Sequence, residues 1–301
     1  MSQHPSASPP PQPYRWTLSS HAGGAPARLG GLADGTGPAR LWYLEELTEC
    51  TAKVLARSRA ADLCFVGRSL DSVYDLLIGA FEGVPRASGL VRLPVSVRGR
   101  DRWVGARRRR LREHLAAAGL EPYALARRGR PLALVDVVSS GSTFDTLHGE
   151  LAAWIEESRE PWAVIRRKLR YVGVTVRGST SPNHWRWQQS PDSARWVRTL
   201  PAGHVVNVSL HWRVWSWLGN DQPKVHGSFP AVRWFDEDAA TPWHHHQLPE
   251  ALAESLALVE AGRGRAVRDA LVRGIALEPG FADRDVRALA SALRGRAVRA
   301  R

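Results

Sequence analysis

The residues best suited to chemistry lie in the run PLALVDVVSSGSTFDTL at 131–147. An apolar stretch ends on the carboxylate Asp136. The small residues Ser139, Ser140, Gly141, Ser142 and Thr143 then lead into a segment of helical character over 143–157. A carboxylate at a strand end can accept hydrogen bonds from ribose hydroxyls. Amide N–H groups in a Ser/Gly turn at a helix start can surround a phosphate, because the first turn of a helix leaves its N–H groups without intrahelical partners and carries the positive end of the dipole. Glycine at 141 permits positive φ and close approach of a ligand. An ordinary strand-to-helix loop is the alternative reading of the same residues. Upstream, LCFVGRSLDS at 63–72 reads again as strand, tight loop and helix. Its loop residues Gly67, Arg68 and Ser69 offer a guanidinium and amides to a diphosphate, or equally a surface turn with capping charges. Between the two lies RGRDRWVGARRRR at 98–110, whose Arg107 and Arg108 can close over an anion or form a solvated helix start.

Aligned on Gly141, the segment 135–143 resembles the ribose-5-phosphate-binding loop of the type I phosphoribosyltransferases. That loop consists of an apolar strand, two acidic residues, two apolar residues and Thr-Thr-Gly-x-Thr. Here the sequence runs Val135, Asp136, Val137, Val138, Ser139, Ser140, Gly141, Ser142, Thr143, so Asp136 fills the second acidic position and Val135 stands at the first. The resemblance spans about residues 60–178. It implies transfer of a phosphoribosyl group between 5-phosphoribosyl 1-diphosphate and a nitrogenous base through an oxocarbenium-like transition state. In that reading Asp136 and Arg68 are the catalytic residues, with Asp136 on the ribose, and residues 139–143 bind the 5-phosphate. Gly67, Arg68, Ser69, Arg107 and Arg108 bind the diphosphate. Mg²⁺ is then bound mainly through the diphosphate substrate, with no dedicated metal ligands, and a homodimer is a common state of similar enzymes. Two other classes remain open at this point: a catalytically inactive nucleotide sensor of the same fold, and a protein binding RNA or DNA through its arginines and tryptophans.

These loops need elements to position them. Apolar spacing predicts helices over 41–56, 72–81 and 107–118, strands over 63–66, 132–135 and 171–176, and an extended segment over 90–97. Strands alternating with helices predict an α/β fold with a mostly parallel sheet covered on both faces. Residues 183–243 hold eight of the thirteen tryptophans and read as a β-rich subdomain or a hood over the sheet. Trp185, Trp187, Trp212, Trp215 and Trp217 are, as a group, candidates to stack on a base, and each also suits a structural core. In Trp243-His244-His245-His246 three consecutive imidazoles cannot converge from a regular strand or helix, so no metal site is read there. Helical spacing resumes from 248. The expected organisation is a leader over 1–38, a core over 39–180, a hood over 181–247 and a helical segment over 248–301.

The whole chain, 301 residues with a net charge of +13, favours anionic partners. Its Ala, Arg and Gly usage is also what a high-GC bacterial genome produces. No apolar run approaches the ~18–20 residues of a membrane span, and the first residues lack a secretion signal, so a soluble cytoplasmic protein with no membrane partner is expected. Cys50 and Cys64 do not suggest a disulfide framework. The Pro/Ser/Gly-rich residues 1–38 predict a disordered leader or loose wrap, dispensable for folding.

Overall fold

The computed structural model describes residues 9–22, 24–34, 36–85, 87–97, 104–178 and 186–295. Its centre is a five-stranded sheet of β1 (Asp62–Val66), β2 (Leu90–Leu93), β3 (Leu132–Val137), β4 (Leu169–Val176) and β5 (Val205–Leu210). The order is β2-β1-β3-β4-β5, and every neighbouring pair is parallel. Eleven α-helices are described: α1 (Leu44–Arg57), α2 (Asp71–Ala80), α3 (Gly105–Ala117), α4 (Pro122–Arg127), α5 (Ser142–Glu157), α6 (Trp162–Ile165), α7 (Pro191–Val197), α8 (Trp212–Ser216), α9 (Leu248–Arg263), α10 (Arg265–Ala276) and α11 (Arg284–Arg294).

Because strand side chains alternate between faces, each strand feeds two cores. Leu63 and Phe65 of β1, Ala133 and Val135 of β3, and Val172 and Val174 of β4 pack beneath α1, α2 and the C-terminal helices α9, α10 and α11. Cys64, Val66, Leu132, Leu134 and Tyr171 pack on the opposite face with α3, α5 and α7. The near-continuous apolar character of β1 and β3 follows from burial on both sides. Both cysteines are free and buried, and no helix among the described residues is long and apolar enough to cross a membrane.

Two expectations about organisation need correction. The hood is not a separate unit: β5 extends the sheet by pairing with β4 from Tyr171↔Val205 to Val176↔Leu210. Tryptophan density obscured this strand, whose first three residues are only half-buried because it lies at the sheet edge. Of the leader and the wrap expected over residues 1–38, the described residues 14–18 form a wrap, and it is packed rather than loose. Trp16 and Leu18 are core residues, and the Tyr14 amide donates to the Ala239 carbonyl at 2.9 Å. Arg15 ion-pairs with Asp71 at 2.9 Å and also with Asp75. Averaged over the Pro/Ser/Gly-rich segment, composition hides the alternation Tyr14, Trp16, Leu18, which is enough to anchor a strap. Residues 1–8 lie outside the described residues.

Candidate functional site

At the carboxyl ends of β1 and β3 the chain departs to opposite faces, through α2 on one side and α5 on the other. Such a point in an open parallel sheet leaves a crevice between the two loops. Here it is a cavity of about 170 Å³ lined by Gly67, Arg68 and Ser69 after β1 and by Asp136 and Thr143 around the end of β3. Gly67 (φ +67°) and Gly141 (φ +89°) adopt the left-handed conformation that favours glycine. At Gly141 a Cβ would also lie 2.5 Å from Trp187 Cε3. This turn starts α5 with Gly141 as its N-cap, which has no side chain to cap it, and the Ser142 N–H donates to Ser140 Oγ at 3.4 Å.

Asp136 is largely buried, and its Oδ1 accepts the Val137 N–H at 2.8 Å. Arg68 donates to the His226 carbonyl at 3.1 Å. The other loop residues divide. Ser139 borders a second cavity of about 710 Å³, with Arg177, Arg186, Trp187, Gln188 and Trp215. Ser140 Oγ donates to Ser142 Oγ at 3.3 Å, and neither lines the smaller cleft.

The two arginines assigned to the closing loop stand away from the cleft. Arg107 and Arg108 lie inside α3 and are absent from the cleft lining. Arg108 Nε instead pairs with Glu150 of α5 at 2.8 Å, and its Nη2 with Glu157 at 2.9 Å. The carboxylates on the facing helix satisfy it, which the sequence of the basic run alone could not reveal. Residues 98–103 of that run lie outside the described residues.

The third wall comes from a segment not singled out in the sequence: Gly219, Asn220, Gln222, Lys224 and Ser228. Lys224 Nζ donates to Gln222 Oε1 at 2.5 Å, and Gln222 Nε2 donates to Ser72 Oγ at 2.5 Å and to Tyr43 Oη at 3.0 Å. Burial, with the charges of Arg68 and Arg15 nearby, pushes the Lys224 ammonium down to about 8 against the pull of Asp71 and Glu254. Behind it, burial would raise the Asp71 carboxyl, but Arg15 and His226 hold it well below the usual carboxylate range. His226 Nε2 lies 3.2 Å from Asp71 Oδ2. One signal was available in the sequence: Lys224 is one of three lysines in a chain whose positive charge is otherwise arginine.

No family model, characterised protein or solved structure matches this chain.

Of the candidate tryptophans, Trp187 is core, with its Nε1 donating to Asn207 Oδ1 at 2.6 Å. Trp215 donates to the Val174 carbonyl at 3.0 Å while lining the larger cavity. Trp217 packs edge-on to Trp42 at 6.1 Å, Trp212 is exposed, and Trp185 lies outside the described residues. His245 stacks on Trp243 at 4.0 Å. Among the described residues no three His, Cys, Asp or Glu are grouped to hold a metal ion.

Proposed function

We propose that the cleft between β1 and β3 binds a phosphorylated ribose, as 5-phosphoribosyl 1-diphosphate or a nucleotide, and that the protein transfers phosphoribose to or from a nitrogenous base in the manner of a type I phosphoribosyltransferase. The observation that carries this reading is convergence. Gly67, Arg68 and Ser69 share one cavity with Asp136 and Thr143 although two of the sheet's four connections separate them in sequence. Asp136 accepts the ribose hydroxyls, and Thr143 in the first turn of α5 takes the 5-phosphate. Arg68, Lys224 and the amides of the 67–69 loop hold the diphosphate as negative charge gathers on it during departure. A cavity of about 170 Å³ admits phosphate and sugar rather than a whole nucleotide. The base therefore extends past Ser139 toward the larger cavity, where Trp215 and Gln188 stand.

Mg²⁺ is usually held by one or two carboxylates plus substrate phosphates. Asp136, the one acidic residue among the described residues that line this cleft, fits an ion that arrives on the diphosphate. That ion would supply charge neutralisation at the leaving oxygens.

A second reading, ligand sensing without turnover, is favoured by Val135. Its side chain is fully buried in the core on the α1/α2 face, where the resemblance would have a second acid. Titrating the protein with 5-phosphoribosyl 1-diphosphate and Mg²⁺, then measuring diphosphate release with a panel of bases, separates the readings. Binding with release supports transfer, binding without release supports sensing, and absence of binding overturns both.

A further inference from the structure

Along one side of α5, a groove of about 750 Å³ is lined by residues of α5, α6 and α7. His148 stacks on Trp196 at 4.4 Å and meets Trp162 edge-on at 5.9 Å, giving the groove an aromatic back and side wall. The His148 Nδ1 lies 2.9 Å from the Tyr171 hydroxyl, which fixes the ring. The floor rises no higher than Gly149 and Ala152. At Gly149, an exposed position inside α5, an added Cβ would meet nothing within 4 Å. Charge is reversed here relative to the chain as a whole. In a molecule of net charge +13, four carboxylates (Asp145, Glu156, Glu160 and Asp192) and the guanidinium of Arg195 are the charged groups among the described residues that line the groove. Asp145 is set in place by the Ser193 hydroxyl at 2.6 Å and the Trp196 indole N–H at 2.8 Å. Glu160 also takes a long contact, 3.3 Å, from the exposed Arg127. Burial pushes His148 down to about 4, so the imidazole is neutral at physiological pH and does not oppose a bound cation.

We infer that this groove is a second binding site, taking an organic cation with an apolar body, such as an aromatic or branched ammonium compound. Aromatic faces attract a cation through the ring quadrupole. The surrounding carboxylates set the sign, and the apolar floor receives the rest of the ligand. Its anionic rim is the opposite of what the ribose-phosphate cleft presents, so the two sites exclude each other's ligands. The inference does not depend on the phosphoribosyl reading.

Calorimetric titration of the full chain with benzyltrimethylammonium tests it, with benzyl alcohol and benzenesulfonate as neutral and anionic comparators. Saturable binding in the order cation, then neutral, then anion is expected. Gly149→Leu, which fills open space, should weaken the cation at least about tenfold while leaving the melting temperature unchanged or higher. Trp162→Leu, at a partly exposed position, should also weaken it about tenfold or more. No heat at about 10 mM cation, well above the ~1 mM range of a weak specific site, would overturn the inference. So would benzyl alcohol binding as tightly as the cation, or full cation affinity in both variants.

Discussion

Asp136 and Lys224 reach the same cleft by different routes, and only one of them was legible in the sequence. Asp136 announces itself because strand, carboxylate, Ser/Gly turn and helix are contiguous, so local spacing suffices. Lys224 comes from the irregular segment between α8 and α9, and its position depends on Gln222, Ser72 and Tyr43, contacts made across the fold. If Asp136 holds the ribose, Asp136→Asn should keep the melting temperature and lower affinity for 5-phosphoribosyl 1-diphosphate by about ten- to a hundredfold, the worth of a charged hydrogen bond. Unchanged affinity with reduced stability would instead make Asp136 a structural residue. Lys224 gives a second test. Its ammonium loses a proton near 8 rather than near 10.5, and the neutral amine no longer attracts an anion. Ligand affinity should therefore fall as pH rises from about 7 to 9. Lys224→Arg, whose guanidinium stays charged, should abolish that decline, and a decline that persists in the arginine variant would remove Lys224 from the site.

Among the elements, β1, β3, β4, α1 and α5 were readable because their apolar periods are strong and local. The strap over 13–18 and β5 were not, since each is defined by what it packs against. Arg15 sits between Asp71 and Asp75 with almost no solvent contact. Removing it takes the guanidinium from two buried carboxylates and leaves Asp71 with His226, so Arg15→Ala should destabilise the protein by about 3–5 kcal/mol in urea unfolding. A loss under about 1 kcal/mol would mean that the strap contributes little. On the other face, α3 buries His114 edge-on to Phe229 and Trp234 at 5.5 and 5.9 Å. Neither of its ring nitrogens has a hydrogen-bond partner among the described residues. Burial, followed by the charge of Arg110, pushes His114 from 6.5 down to about 4. Between those values the unfolded chain binds a proton that the folded chain does not, so stability falls as pH drops through this window. His114→Phe should flatten that fall and raise stability at pH 7 by about 1–2 kcal/mol, as thermal melts across pH 4–7 would register. An unaltered pH profile would put the acid sensitivity elsewhere, with the similarly lowered His148 as the next candidate.

For the whole molecule, the alternation of strands with helices was enough to read an α/β fold with a parallel sheet. The C-terminal helices α9, α10 and α11 complete one face of the sheet rather than forming an appendage. A chain beginning at residue 38 would lose Arg15, Trp16 and Leu18 together, and it should be recovered as insoluble or protease-sensitive material. A cooperative melt at the full-length temperature would show instead that the strap is dispensable. The strap also constrains the order of assembly. Arg15 is synthesised well before its partner Asp71, which lies 56 residues later, and the carbonyl that accepts from Tyr14 belongs to Ala239. No early stretch of nascent chain can close these contacts. The cleft walls must therefore be completed after synthesis of the 219–239 region, and the high sequence separation should make refolding slow for a protein with so much helix. Interrupted translation would yield chains with most of the sheet in place and an incomplete cleft.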